Sequence, residues 1–275
     1  MESTDLLDDV GMQLYWKLLG MLQWAVTLGR IDIMCAVMTM GGFKCQPRVG
    51  HLNRPKRIFW FLRNFKSCSI KFRTKEPDYS KYKTEDRNWN YVYGDIQEEI
   101  PNNIPIAKGR KVILTMYADA NLYHDKVTGR SVTGLILMLN KTPIEWFSKK
   151  QLSVESATYG SEFVAARIGT DKIVEMRYML RMLGVSVEGP SMMFGDNLAV
   201  VNSASIPEDT LKKCHYALSY HRVREAIAAK VLKFHHISGK ENPADILTKF
   251  LPSSIWWPLM KPILHWPEKD KDNPS

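Results

Sequence analysis

The pattern of apolar residues changes near residue 111, and that change constrains this chain more than any other feature. After it, residues 112–117, 132–139 and 142–147 are runs rich in β-branched and aromatic side chains, separated by short polar turns. Such runs predict three antiparallel strands in a row. From 155 to 183, Phe163, Ala166, Ile173, Met176, Leu180 and Leu183 approximate one helical face, with a break expected near Gly169. A short strand at 191–194, a helix around 215–230, a strand at 231–237 and a last helix from about Asn242 complete the order β-β-β-α-α-β-α-β-α.

Upstream the periodicity is helical. Leu14, Leu18, Leu19, Leu22 and Val26 fall at helical spacing within 11–40, and Pro55 is expected to open a further helix that runs to about Phe65. Residues 75–110 are dense in turn formers and lack a period, which reads as a linker. The polar run 267–275 is expected to be disordered. The expected organisation is therefore a helical unit at 1–74, a linker at 75–110, an α/β domain at 111–252 and a tail at 253–275.

Composition narrows the function classes. A chain of 275 residues that is 45% hydrophobic and 24% charged has ordinary globular make-up. Its longest apolar stretches are interrupted by Arg30 and Asp32 and fall short of the roughly 20 residues a membrane span needs. The first residues are acidic where a secretory signal is basic, so an intracellular chain with no membrane partner is expected, cytoplasmic or nuclear. Cys35, Cys45, Cys68 and Cys214 form no CxxC pair, which argues against a zinc cluster or a disulfide framework. The formal charge of +9 is concentrated: residues 44–87 hold 13 Lys or Arg against 4 Asp or Glu, interleaved with Phe59, Trp60, Phe61, Phe65 and Phe72. Two readings stand for this segment, a surface for a polyanion and a solvated helix face over a core stripe.

Four carboxylates, Asp119, Glu162, Asp196 and Asp245, fall where strands end or where elements open onto one edge of a sheet. Each alone has an ordinary explanation. Asp119 suits the start of a turn, Glu162 a solvated helix face, Asp196 a helix cap, and Asp245 a capping box with Asn242. Their contexts carry more. Tyr117-Ala118-Asp119-Ala120, Thr133-Gly134, Trp146-Phe147-Ser148-Lys149-Lys150-Gln151, Ser161-Glu162-Phe163, Gly195-Asp196-Asn197, Tyr220-His221 and Ala244-Asp245-Ile246-Leu247-Thr248-Lys249 occur in this order. The set resembles the ribonuclease H domain of Copia-like retrotransposon polyproteins. The stretch with Tyr15, Leu18, Gly20, Leu22, Trp24, Arg30, Asp32, Ile33, Arg57 and Leu62 resembles the region just after the reverse transcriptase palm. The palm's Tyr-x-Asp-Asp turn is absent from these residues, so no polymerase activity is expected, and the chain looks like the tail of a larger polyprotein.

The resemblance implies a ribonuclease H-like α/β fold: a mixed five-stranded sheet flanked by helices and preceded by a small helical unit. It also implies an endonuclease that hydrolyses the RNA strand of RNA–DNA hybrids, with the polymerase domain as a partner in the parent polyprotein. Hard oxygen ligands select Mg²⁺ or Mn²⁺ over zinc, and two ions about 3.5–4 Å apart would bracket the scissile phosphate. By the family's roles, Asp119 bridges both ions, Asp245 helps hold the nucleophile-side ion, and Glu162 and Asp196 hold the other. Lys149, Lys150, Arg222 and Arg224 are candidate phosphate contacts. His235 and His236 are candidates for the mobile histidine of ribonucleases H, although a packed strand histidine is the simpler role. Trp146 and Tyr220 suit packing better than base stacking. The competing readings are a catalytically silent nucleic-acid-binding relic or adopted structural component, and an integrase or transposase. The last fits less well, because those enzymes usually use three acidic residues and lack the Ser-Lys-Lys-Gln and Ala-Asp-Ile-Leu-Thr-Lys blocks.

Overall fold

The computed structural model describes residues 4–82, 85–211 and 214–267. It divides into two compact units, Met1–Lys71 with Lys249–Ser275, and Phe72–Thr248.

In the first unit, helix α1 (Asp9–Thr27) begins where the Asp8 carboxylate accepts the Gly11 N–H at 2.8 Å, an N-cap that satisfies one free donor. Its buried stripe is Tyr15, Leu19, Leu22 and Val26; Leu14, expected inward, is instead exposed. The Tyr15 hydroxyl donates to the Met40 carbonyl at 2.6 Å and so ties α1 to α2 (Met34–Gly41). Helix α3 spans Val49–Asn64, and Pro55 lies buried inside it rather than at its start. The helix begins six residues earlier, where the Arg48 N–H is taken by His51 Nδ1 at 3.0 Å, and Pro55 inside it has no N–H to donate. Strand β1 (Ser69–Ile70) follows.

The second unit opens with residues 72–110, whose described residues include one short helix, α4 (Asn90–Tyr93). Then come β2 (Leu114–Asp125), β3 (Arg130–Leu139), β4 (Thr142–Lys150), α5 (Thr158–Met182), β5 (Ser191–Gly195), α6 (Leu198–Ser205), α7 (Ala217–Ala228) and β6 (Leu232–His236), with 3-10 turns at Cys214–Tyr216 and Pro243–Leu247. The sheet order is β4-β3-β2-β5-β6. The first three strands pair antiparallel, whereas β2–β5 and β5–β6 are parallel. This is the five-stranded mixed sheet flanked by helices expected for a ribonuclease H-like chain. Leu114, Met116, Ala118, Leu135 and Leu137 face Phe163, Ala166 and Ile173 of α5 in the main core.

Three local expectations are corrected. Helix α5 runs unbroken through Gly169, because that residue lets the helix approach the sheet: a Cβ there would lie 3.1 Å from Met193 and 3.3 Å from Met116. Helix α6 has no place in the expected element order, and Asn197 rather than Asp196 caps it, by accepting the Ala199 and Val200 N–H groups. The expected last helix is a single 3-10 turn.

The described residues of 75–110, expected to be a linker, form a strap packed within this second unit. Trp89 is buried, Tyr79 Oη and Thr115 Oγ1 are 2.6 Å apart, and Lys108 forms a parallel bridge with Val185. The Glu98 carboxylate receives two bonds each from Arg177 and Arg181, at 2.6 to 2.8 Å. Burial alone would raise its pKa, but the two guanidinium groups outweigh that and hold it at about 2. A depressed folded-state pKa gives stability that is present above the ordinary carboxylate value and lost as pH falls from there toward 2. Thermal unfolding followed by circular dichroism should therefore show the wild type melting above Glu98→Gln at neutral pH, with the gap closing between about pH 4.5 and pH 2.

The described residues from Lys249 onward belong to the first unit. Helix α8 (Ser253–Met260) is followed by β7 (Leu264–His265), which pairs antiparallel with β1. Leu259, Met260, Ile263, Leu264 and Trp266 are buried, which is why this segment packs instead of forming the expected tail. The polar run expected to be disordered lies, from residue 268, outside the described residues. Among the described residues no helix is long and apolar enough to cross a membrane, and all four cysteines are free thiols.

Candidate metal centre

Asp119 lies in the middle of the sheet, on β2, fully buried and opposite Gly134 of β3. The parallel register sets Tyr117 opposite Phe194, so the same offset carried two residues on brings Asp119 beside Asp196 at the end of β5. Glu162 comes from the second turn of α5, whose start is fixed by Gln151. That side chain, at the end of β4, donates to Thr133 Oγ1 at 3.0 Å and to the Ser161 carbonyl at 2.8 Å. The three elements bring Asp119, Glu162 and Asp196 together with one carboxylate oxygen from each within 4.8 Å of the others. Asp119 and Glu162 are buried and Asp196 is half-buried.

Asp245 is not in that group among the described residues. It sits, buried, in the 3-10 turn Pro243–Leu247, and its segment is bound to β2 and β3 next to Asp119. Asn242 caps the turn by accepting the Ala244 N–H and donates its own amide to the Ala118 carbonyl at 2.9 Å. The Thr248 hydroxyl donates to the Asp119 carboxylate and lies 3.3 Å from the Asp245 carbonyl. Ser148 Oγ donates to the Leu247 carbonyl at 2.6 Å. Gly134 makes this approach feasible, since a Cβ there would fall 2.6 Å from Thr248 Cγ2 and 2.9 Å from the Ala244 carbonyl. Gly134, Gln151 and Thr248 stand in quoted motifs, and Asn242 beside one, yet sequence reasoning gave Gln151 and Thr248 no role in the site.

Three carboxylates at this spacing repel one another, and a divalent cation relieves the repulsion. An all-oxygen anionic donor set fits Mg²⁺ or Mn²⁺ and does not suit the softer preferences of zinc.

The cationic candidates separate clearly. Arg224 is 1% exposed and cannot reach a phosphate; its guanidinium donates to the carbonyls of Ser203, Ile206 and Pro207 and lies over the rings of Trp89 and Tyr220. That is a correction of its expected nucleic-acid role, and its cause is the position of Arg224 one helical turn after the buried Tyr220. Arg222 is on the surface, paired with Asp171 at 2.8 Å. Lys150 is bound to Asp125 at 2.7 Å, a contact that helps hold the Asp125 carboxyl well below its usual range despite burial. Lys149 is exposed.

His235 is buried against Tyr82 and Phe194, and burial, aided by Lys233, pushes its pKa down. It is the packed strand histidine. His236 is exposed with Nε2 3.1 Å from the Asp196 carbonyl oxygen. Tyr220 is buried with its hydroxyl on the Asp209 carbonyl, a packing role as expected.

No family model matches the sequence. Among solved structures, the N-terminal RNase H domain of a Mycobacterium tuberculosis protein aligns with 55% of this chain and 97% of its own at 13% identity, TM-score 0.39. LC11-RNase H1 in complex with an RNA/DNA hybrid aligns with 49% of this chain and 93% of its own at 16% identity, TM-score 0.40. Among curated proteins, the Retrovirus-related Pol polyprotein from transposon RE1 of Arabidopsis thaliana is 26% identical over 236 residues, and that from transposon TNT 1-94 of Nicotiana tabacum is 25% identical over 238. The chain spans 14% and 15% of the length of these two relatives. Across 86% of its own length, the chain therefore resembles retrovirus-related Pol polyproteins of plant transposons, the Copia-like likeness its motifs carry.

Proposed function

We propose that the unit Phe72–Thr248 is a retroelement ribonuclease H that hydrolyses the RNA strand of RNA–DNA hybrids with the help of Mg²⁺ or Mn²⁺. The observation that carries the reading is the convergence of Asp119, Glu162 and Asp196, from three separate elements, to within 4.8 Å. Those are three of the four positions that the family's motifs single out. Asp119, Glu162 and Asp196 would hold the cations, with Asp245 joining from the neighbouring turn. Bound divalent ions supply Lewis-acid stabilisation of phosphoryl oxygens and a more acidic water for in-line hydrolysis.

The rest of the chain supplies binding and position. Buried Asp119 and Glu162 give the site fixed ligands, and half-buried Asp196 marks its open side. Substrate recognition rests on the phosphate backbone and on 2′-hydroxyl groups rather than on base sequence. Lys149 and Arg222 are suitable surface cations. In the first unit, α3 has no carboxylate and exposes Arg54, Lys56, Arg57 and Arg63 around a 68% exposed Trp60, which supports the polyanion reading of the basic segment. In this proposal the parent polyprotein supplies the polymerase domain, and the protein works inside the cell, in a cytoplasmic particle or in the nucleus.

The experiment is cleavage of an end-labelled RNA–DNA hybrid by the full chain with Mg²⁺, with Mn²⁺ and with chelator. RNA-strand products that require the metal are the expected result. Salt-sensitive binding by a folded protein that forms no products would instead establish the silent binding module.

A further inference from the structure

We infer that Thr248 is a positioning residue for the metal centre, a pin that sets the orientation of the Asp119 carboxylate. The inference rests on the reading of Asp119, Glu162 and Asp196 as a divalent-cation site. Every polar group of Thr248 is committed, and the residue is fully buried. Its N–H donates to the Asp245 carbonyl at 3.2 Å, and its carbonyl accepts from Asn121 Nδ2 at 3.0 Å. Its hydroxyl donates to Asp119 Oδ2. Its methyl lies against Gly134, in space that any side chain on Gly134 would take. Thr248 thus grips β2 at two residues on the same face, Asp119 and Asn121, while its N–H holds the turn that carries Asp245.

The physical consequence concerns a torsion. The carboxylate χ2 of an aspartate is broad when left to itself, so a metal ligand with no fixed donor samples many orientations. A hydroxyl donor whose own position is fixed narrows that range and takes up part of the negative charge. Partners of this kind typically change metal affinity by about 10–100-fold when removed.

Thr248→Ser and Thr248→Ala both lose the γ-methyl and differ only in the hydroxyl; Thr248→Val keeps the shape and loses the hydroxyl. Mn²⁺ is titrated calorimetrically into the full-length wild type, these three variants and Asp119→Asn, at a low temperature where far-ultraviolet circular dichroism shows each to be folded. Thr248→Ser should bind within about twofold of wild type, and Thr248→Ala and Thr248→Val at least about tenfold more weakly. Affinity measured on folded protein is a readout that a purely structural threonine would leave unchanged. Equal affinities for the Ser and Ala variants would overturn the inference, and that pair is decisive even where the Val variant does not fold. A wild type that binds Mn²⁺ no better than Asp119→Asn would overturn the metal reading itself and the inference with it, an outcome visible before position 248 is altered.

Discussion

Replacing Asp119 by Asn is expected to leave the chain folded and to lower metal-dependent hybrid cleavage by more than about a hundredfold. The figure follows from what is removed: loss of an outer partner of a metal ligand already costs about 10–100-fold, and here the anionic ligand itself is lost. Asparagine keeps the shape of the side chain and still offers an acceptor to the Thr248 hydroxyl, so the contact that ties β2 to the Pro243–Leu247 turn survives. The variant should also show an inverted stability pattern. In chelator the wild type crowds three carboxylates within 4.8 Å, and removing one charge relieves that repulsion, so Asp119→Asn should unfold at or above the wild-type temperature. In millimolar Mg²⁺ the wild type gains the stabilisation that any ligand selective for the native state confers, and the order reverses. Differential scanning fluorimetry with and without Mg²⁺ reads both limbs. Cleavage by Asp119→Asn at the wild-type rate would remove the residue from the site.

Much of this site was legible because its signals are local. Asp119 and Asp196 each stand two residues after the aromatic end of an apolar run, at Tyr117 and Phe194, although β2 itself continues past Asp119 to Asp125, and the 77-residue offset that pairs Thr115 with Met192 is the one that aligns the two aspartates. The motif blocks singled out four carboxylates, and the fold brings three of them, Asp119, Glu162 and Asp196, to within 4.8 Å of one another. Distances were not legible. Nothing in Ala244-Asp245-Ile246 says that Asp245 stays outside the close group, since that depends on how far the turn is drawn in by Asn242, Ser148 and Thr248, each acting on a partner about a hundred or more residues away, at Ala118, Leu247 and Asp119.

The misread elements share a cause. Gly169 is a helix breaker by propensity, but the cost of about 1 kcal/mol relative to alanine is outweighed by close packing of α5 on Met116 and Met193. The strap at 75–110 has turn-former composition because its backbone follows the surface of a domain rather than its own period, so its order comes from Trp89, Tyr79 and Glu98 finding distant partners. Residues 253–267 were set aside as a tail although Leu259, Ile263 and Trp266 recur at near-helical spacing, a signal that was present. A similar signal existed for Arg224, which stands four residues after Tyr220 and next to Val223 on the inward face of α7, whereas Arg222 falls on the outward face.

That last distinction gives the second large effect. Arg224→Met should destabilise the protein by about 3 kcal/mol, because the buried carbonyls of Ser203 and Pro207 lose their donor, at about 1–3 kcal/mol for each unsatisfied group, while the Ile206 carbonyl keeps the Asp209 N–H. In a protein of this size the unfolding midpoint should fall by roughly 6–12 °C. Lysine should rescue it only in part, since a single ammonium cannot serve three acceptors in the plane of a guanidinium or stack between the Trp89 and Tyr220 rings. Arg222→Met is the matched control: it removes a surface pair with Asp171 and should change stability by less than about 1 kcal/mol. Hybrid affinity measured across a salt series separates the two arginines a second way. A residue that meets a phosphate contributes about one unit to the slope of log affinity against log salt, so a folded Arg224→Met should keep the wild-type slope, while loss of a true phosphate contact lowers it. An Arg224→Met protein that melts like wild type but shows a reduced salt slope would return Arg224 to the nucleic-acid surface and remove it from the core.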